Sequence, residues 1–239
     1  MNRVLFDNNK IVEALCQFTF KPVQDNTIFG QYWDLLQKEK IYTLKENIQA
    51  ISFTVVGNES GITPAMTNAM KYTNVEQDKI IQLHNNNISI HQVKQYSKWE
   101  LFKTDIDNAL SKFNLIALQN NIERIDLRAI NVYDFETSDF KLSDYFNFFT
   151  TQPESIPNAN SNITLEYPLE RKNTFIVLRI KTAMQTKMNV VLDLSFVSLE
   201  SNIPSADTKS IDDILQYGHA ELYKLFFSVI TEKTKNLIK

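Results

Sequence analysis

The order of predicted elements runs twice along the chain, and this constrains the fold more than any other feature. Hydrophobic periodicity predicts a strand, a helix, three strands and a helix over about residues 11–113, and the same order over about residues 122–238. The two segments share the order but no residue-level identity. We therefore predict an α+β fold that arose by tandem duplication of a β-α-β-β-β-α unit, with helices covering antiparallel sheets. Residues 1–239 would form a single domain made of these two fused halves.

The first strand has the clearest pattern in the chain. Apolar side chains alternate from Ile11 to Phe20, which places Cys16 on the apolar face. A reactive cysteine needs an accessible, electropositive setting, so we interpret Cys16 as a buried packing residue. A single cysteine excludes an internal disulfide, and the N-terminus lacks an apolar signal core. These features predict a cytoplasmic protein.

Charge and hydropathy disfavour nucleic acid and a membrane as partners, although a local basic patch would still allow nucleic-acid binding. The formal net charge is −3 and the isoelectric point is about 5.7, so no overall positive field would attract a nucleic acid or an anionic membrane. No apolar run is long enough to span a bilayer. We expect no cofactor and no metal.

Turn residues predict two loops and one hairpin. Asn85 and Asn86 separate two predicted strands and tolerate the left-handed conformation of a tight turn. Residues 57–77 contain glycine and proline and are predicted as a loop, as are residues 150–162. A loop of this length is a candidate for a lid, a partner-binding segment or plain disorder.

Two capping patterns predict helices. The residues Ser97 to Glu100 form a capping box, and the helix behind it carries an apolar stripe made by Trp99, Phe102, Ile106, Leu110 and Phe113. A similar pattern at Ser210 opens a long C-terminal helix, predicted to run almost to the end of the chain over about 40 Å. The apolar face of this helix is broad and favours binding to a partner or a second copy. Its candidate partner-binding residues are Leu222, Leu225, Phe226 and Val229.

Three histidines are present, and none indicates catalysis. If Asn85 and Asn86 form the turn, His84 and His91 share a face but stand four rows apart, at about 13 Å, which argues against a shared metal. We interpret both as solvent-facing. His219 follows Gly218 in the long helix, where glycine permits close approach of another backbone, so we predict a packing notch there.

Catalytic motifs are scarce. The chain has four glycines and no nucleophile elbow, phosphate-binding loop or zinc-ligand spacing. The stretch Glu170-Arg171-Lys172, with Glu154 upstream, imitates a metal-dependent nuclease, but Pro168 interrupts the strand that would carry it. An exposed turn is the preferred interpretation. We assign no catalytic residue and favour a non-catalytic protein.

Charged residues inside predicted strands form a further set. If several of these residues share one sheet face, they would form either a polar groove that recognises a ligand or a solvated outer face of the sheet. We prefer the solvated outer face. The residues are Glu13, Arg124, Asp126, Arg128, Glu166, Arg179 and Asp193.

Several segments resemble a sporadically distributed bacterial family of roughly this length. Residues 11–20 (IVEALCQFTF) are similar to the family's opening motif PIVEAVCEFRF. Further similar segments, in the family's order, are YSKWELF at 96–102, RIDLRAIN at 124–131, LSDYF at 142–146, and His219 with ITE at 230–232 in the final helix. The chain departs from the family at Ala129, where an aromatic residue is usual, and at Gly218, where an acidic residue is usual. The resemblance implies a unit of conserved length but no particular activity.

Two functions from different classes stay open. The patchy distribution of the family implies carriage on mobile or defence-related loci beside a partner gene. The first function, supported by the wide apolar helix face and the scarcity of catalytic motifs, is a non-catalytic binding or assembly subunit, as a homodimer or with a protein partner. The distribution places it in a mobile-element, phage-defence or toxin-antitoxin system. The second is a sensor whose small-molecule ligand lies in the cleft between the halves. Its candidate ligand-binding residues are Arg124, Arg128 and Asn131. Since Arg128 and Asn131 are an odd number of residues apart, only a bulge would bring them together. A metal-dependent nuclease is third.

Overall fold

One antiparallel sheet dominates the protein. The computed structural model describes residues 10–55, 62–94, 96, 98–117, 120–136, 141–147, 162–184 and 187–238, and gives the backbone alone for residues 49–55, 62–68 and 184. Within these residues ten strands form the sheet. The strands are β1 (Ile11–Lys21), β2 (Tyr42–Val55), β3 (Ile62–Asn74), β4 (Lys79–His84), β5 (Asn87–Val93), β6 (Asn121–Phe135), β7 (Asn162–Pro168), β8 (Thr174–Met184), β9 (Met188–Ser198) and β10 (Ile203–Pro204).

The strand order places the two segments of the chain side by side. It runs β2-β3-β4-β5-β1-β6-β9-β8-β7, with β10 added beside β6. Strands β1 and β6 pair at the centre of the sheet. Strands β2 to β5 lie on the β1 side, and strands β7 to β9 lie on the β6 side. The predicted α+β class and the antiparallel sheet are confirmed.

Helices cover one face of this sheet. They are α1 (Ile28–Gln37), α2 (Trp99–Ile116), α3 (Leu142–Tyr145), α4 (Thr208–Val229) and α5 (Glu232–Leu237). Helix α2 packs on β5, and α4 packs on β9 and β6. One cluster of buried side chains, from Ala14 to Ile238, lies between the helices and the sheet.

Several local predictions are confirmed. All five residues of the predicted α2 stripe are buried. The turn at Asn85 and Asn86 joins β4 to β5, and Ile80 lies opposite His91 as expected. Cys16 is fully buried, and burial raises the pKa of its thiol well above the ordinary range, which fits a packing role.

The predicted loop at 57–77 is wrong over most of its length. Residues 62–74 form β3, which pairs with β2 along its whole length through the backbone ladder from Tyr42 to Val55. The first segment therefore has four strands between its two helices rather than three. Residues 56–61 lie outside the described residues, as do 148–161, which contain most of the second predicted loop.

The C-terminal helix is shorter than predicted. Helix α4 has 22 residues, about 33 Å, and ends at Val229. Ile230 takes an extended conformation and forms a β-bridge with Phe146, after which α5 begins. The N-cap of α4 is Asp207, whose carboxylate accepts a hydrogen bond from the Ser210 backbone at 3.1 Å, so Ser210 lies inside the helix. The N-cap of α2 is Lys98, without a side-chain cap, and Ser97 lies outside the described residues.

Candidate functional site

A cavity of about 220 Å³ lies where the two segments of the chain meet. It is bounded by the central strands β1 and β6, the first turn of α2 and the second half of α4. Most of the lining is apolar. The lining residues are Lys10, Ile11, Ala14, Leu15, Tyr96, Lys98, Trp99, Glu100, Phe102, Leu127, Arg128, Ala129, Asn131, Leu194, His219, Leu222, Tyr223, Phe226, Phe227 and Ile238.

Two alanines create space at the floor of the cavity. Ala14 of β1 lies directly opposite Ala129 of β6 in the register of the central pair. The next pair on the same face is Cys16 with Leu127, and the pair after it is Phe18 with Ile125, so the side chains become larger away from the alanines. Since no side chain longer than a methyl group rises from either alanine, the helices above cannot close the gap at this point.

Aromatic rings form the wall on the helix side. Trp99 of α2 stacks on His219 of α4, with ring centroids 4.2 Å apart and planes 4° from parallel. The Trp99 indole Nε1 donates a hydrogen bond to Gln216 Oε1 at 3.2 Å, which fixes the ring further. Tyr223 and Phe227 add a second ring pair at 4.6 Å. The predicted packing notch exists beside this wall, because Gly218 lies against the Phe196 ring.

Polar groups lie mainly at the rim. Lys10, Lys98 and Glu100 are exposed there. Inside, Asn131 is 2% exposed, and its Nδ2 donates to the Leu192 carbonyl oxygen at 3.4 Å, which is long for a hydrogen bond. The cavity therefore has a mainly apolar interior, with the Asn131 amide and the polar groups of His219, Tyr96 and Tyr223 in its lining.

The three predicted ligand-binding residues do not converge. Strand β6 pairs with β9 without a register shift, so Arg128 and Asn131 leave it on opposite faces. The Arg128 guanidinium binds both carboxylate oxygens of Asp193, at 2.8 and 2.6 Å, on the face away from the helices. Arg124 pairs with Asp126 and does not line the cavity. Asn131 and Arg128 both border the cavity, and the Arg128 guanidinium is held by Asp193 on the other face.

The charged strand residues do share the open face of the sheet. The register puts Glu13, Asp193 and Arg179 in one cross-strand row, with Arg128 and Glu166 two positions along. Asp193 also lies 3.6 Å from Arg179. Asp193 thus pairs with Arg128 of β6 and Arg179 of β8. Asp193 and Ser195 are each 6% exposed, so this part of the face is buried and differs from the fully solvated outer face that the sequence favours.

A buried polar chain on this face was missed by sequence reasoning. His91 Nδ1 lies 2.7 Å from Glu13 Oε1, and His91 Nε2 lies 2.9 Å from Ser89 Oγ. The order of groups is that of a nucleophile, a base and an acid. However, Ser89 is 3% exposed in the middle of β5, so a substrate cannot reach its hydroxyl. These three side chains instead satisfy one another's hydrogen-bonding groups.

The prediction that both strand histidines face solvent is therefore wrong. His91 is buried against Glu13, a residue of another strand, and His84 is half-buried. Burial lowers the pKa of His84. Only the pairing of β1 with β5 brings Glu13 to His91, and no local pattern shows it.

Glu13→Gln is expected to destabilise the protein by about 1–2 kcal/mol at pH 7, because a charge-assisted hydrogen bond is lost. The hydrogen bond to His91, with the charges of His91 and Arg128, lowers the pKa of Glu13 from its ordinary value of 4.5. A lowered pKa means that the ionised carboxylate stabilises the fold above pH 4.5 and that this contribution is lost as the pH falls through the folded value. The difference between variant and wild type should therefore shrink in acid, measured by urea unfolding from pH 7 to 3.

A matched control for this prediction is Glu123→Gln on β6. Glu123 pairs with Lys21 in an exposed ion pair at 3.3 Å, so its loss should change the free energy of unfolding by less than about 0.5 kcal/mol. A Glu13→Gln effect that stays constant with pH would contradict the assignment.

The predicted partner-binding face is mostly occupied by the protein's own core. Leu222 and Val229 are buried, and Leu225 and Phe226 are partly buried against the same cluster. A partner could contact the first two only if α4 left the sheet. A protein partner or a homodimer stays a prediction.

The nuclease-like stretch lies in the turn between β7 and β8. Arg171 pairs with Glu200, and its guanidinium lies over the Tyr217 ring. Over the described ranges, no three His, Cys, Asp or Glu side chains converge as metal ligands would. Among the helices of these ranges, none is both long and apolar enough to cross a membrane.

Comparison with known proteins gives no relative. No protein-family model matches the chain, no curated protein is similar to it, and no solved structure matches its fold. The class that the fold and the cavity define is an α+β protein with one antiparallel sheet and an apolar cavity at its centre.

Proposed function

We propose that this is a non-catalytic binding protein that holds a small, predominantly apolar molecule between two similar halves. The observation that carries the proposal is the cavity of about 220 Å³ at the β1–β6 junction. The pocket opens to solvent beside Lys10, Lys98 and Glu100, and its interior is lined mainly by apolar and aromatic side chains. A concave, mostly apolar pocket with a few polar groups is the usual form of a small-molecule site, which supports a ligand at this junction.

A duplication origin is part of this proposal. Counted outward from the centre, the strands run β1-β5-β4-β3 on one side and β6-β9-β8-β7 on the other. A long helix follows the last strands of each segment, α2 in the first and α4 in the second. Strand β2 has no counterpart. The correspondence supports a pseudo-twofold axis between β1 and β6, which is where the cavity lies.

This position suits a sensor. The ligand would contact α2 from one half and α4 from the other, through Trp99 and His219. A ligand shifts a conformational equilibrium only when it binds one state more tightly than the other. A molecule that contacts both α2 and α4 stabilises the arrangement in which both helices lie over the cavity. Ligand binding would therefore change the positions of the outer surfaces of the two helices.

The test is native mass spectrometry of the purified chain after incubation with a bacterial small-molecule extract. We expect a one-to-one adduct on the wild-type protein of 27.8 kDa. Ala129→Phe places a ring in the cavity and should remove the adduct. The control variant is Val132→Phe, which adds the same ring on the opposite face of β6.

The proposal is tested by which of the wild-type, Ala129→Phe and Val132→Phe proteins carry the adduct. An adduct on wild type and Val132→Phe, but not on Ala129→Phe, supports binding in the cavity. The same adducts on all three proteins, or none on any, would overturn it. Circular dichroism of both variants shows whether the fold is retained.

A further inference from the structure

We infer that the ligand of the cavity is an uncharged, planar aromatic molecule of about two fused rings. This inference rests on the proposed function and adds the chemical class of the ligand. It follows from the size of the cavity, the nature of its wall and the position of its charges.

The volume sets the size of the ligand. An apolar cavity of about 150 Å³ admits benzene. The present cavity, at about 220 Å³, is larger by roughly the space of a second fused ring. A long aliphatic chain or a nucleotide would have to extend through the mouth of the pocket into solvent.

The wall favours aromatic ligands over aliphatic ligands of equal size. Rings reach the cavity from both helices, from α2 through Trp99 and Phe102 and from α4 through Tyr223 and Phe226. Trp99 is held by its stack on His219 and by its hydrogen bond to Gln216. Rings attract one another in offset and edge-to-face geometries beyond the effect of buried area. Because the wall is already fixed, a planar ligand gains these contacts with little loss of side-chain freedom.

The charges of the lining favour a neutral ligand. Lys10, Lys98 and Glu100 are exposed at the rim and include both signs, and Arg128 is paired with Asp193 on the opposite face. A charged group inside would lose its hydration and gain no matched partner. Asn131 can instead bind one neutral substituent, because its own hydrogen bond is long.

The experiment compares three compounds of one shape by isothermal titration calorimetry on the full chain. They are 2-naphthol, its saturated analogue decahydro-2-naphthol, and the charged 2-naphthoate. We expect 2-naphthol to bind about tenfold more tightly than either of the others. Ala129→Phe should abolish this binding, and Val132→Phe should retain it.

The outcomes separate this inference from the proposed function. Equal binding of 2-naphthol and its saturated analogue, blocked by Ala129→Phe, would overturn the aromatic class and leave the cavity as a binding site. Tightest binding of 2-naphthoate would overturn the neutral class. If none of the three binds, the inference fails and the adduct pattern from native mass spectrometry decides the proposed function. If the compounds bind but Ala129→Phe affects none of them, both the inference and the cavity as the binding site fail.

Discussion

Phe113→Ala is expected to destabilise the protein by about 3–5 kcal/mol, because a fully buried aromatic ring is lost from the core. Phe113 is 0% exposed at the sheet side of α2, and its ring stacks on Phe20 of β1 at 4.5 Å. Truncation leaves a hole between helix and strand that rigid neighbours cannot fill. Urea unfolding followed by circular dichroism measures the change.

The control lies two residues further along the same helix. Leu115 is 69% exposed, so Leu115→Ala removes almost no buried surface and should change the free energy of unfolding by less than about 0.5 kcal/mol. Both substitutions introduce alanine into α2, so helix propensity affects them similarly. If Phe113→Ala costs less than about 1 kcal/mol, α2 does not pack on β1 as described.

Gly218→Ala should also destabilise the protein, by about 1–3 kcal/mol, although alanine is the better helix former. A Cβ atom at Gly218 would lie 2.4 Å from Cδ1 of Phe196. Phe196 is fully buried on β9 and packs edge-on against Tyr217, so its ring has no free space to enter. The helix must therefore move away from the sheet. Thermal and urea unfolding would both report the loss.

A second helical glycine supplies the matched control, with the opposite sign. Gly30 is exposed on α1, and a Cβ atom there would meet nothing within 4 Å. Gly30→Ala should therefore stabilise the protein by about 0.5–1 kcal/mol, because the unfolded chain loses freedom and no contact is strained. If both Gly218→Ala and Gly30→Ala stabilise the protein, the Phe196 ring can move aside. That result would contradict the close contact of α4 with β9.

Sequence reasoning succeeded where a local pattern determines the structure. The period of two in β1 and the stripe of α2 each follow from burial of one face. The Asn85-Asn86 turn follows from the backbone conformation that asparagine tolerates. These signals lie within short windows, so one sequence suffices to find them.

The failures are cases in which distant contacts overrule local signals. Pro64 favours a loop, yet β3 is held by backbone hydrogen bonding to β2. Ile230 continues the apolar stripe of α4, but its bridge to Phe146, far away in sequence, ends the helix. The cavity lies where Ala14 and Ala129 face each other, and that pairing becomes visible only when β1 and β6 are brought together.

The central position of β1 has a consequence for synthesis on the ribosome. This strand emerges well before its two neighbours, β5 at residues 87–93 and β6 at residues 121–135. Once β5 has emerged, the first half can close around one edge of β1, while the other edge stays unpaired until β6 arrives. During that interval the nascent chain presents an open strand edge with Cys16 and Phe18 beside it. Slow translation between residues 93 and 121 would therefore prolong the stage at which two nascent chains can pair with each other instead of each completing its own sheet.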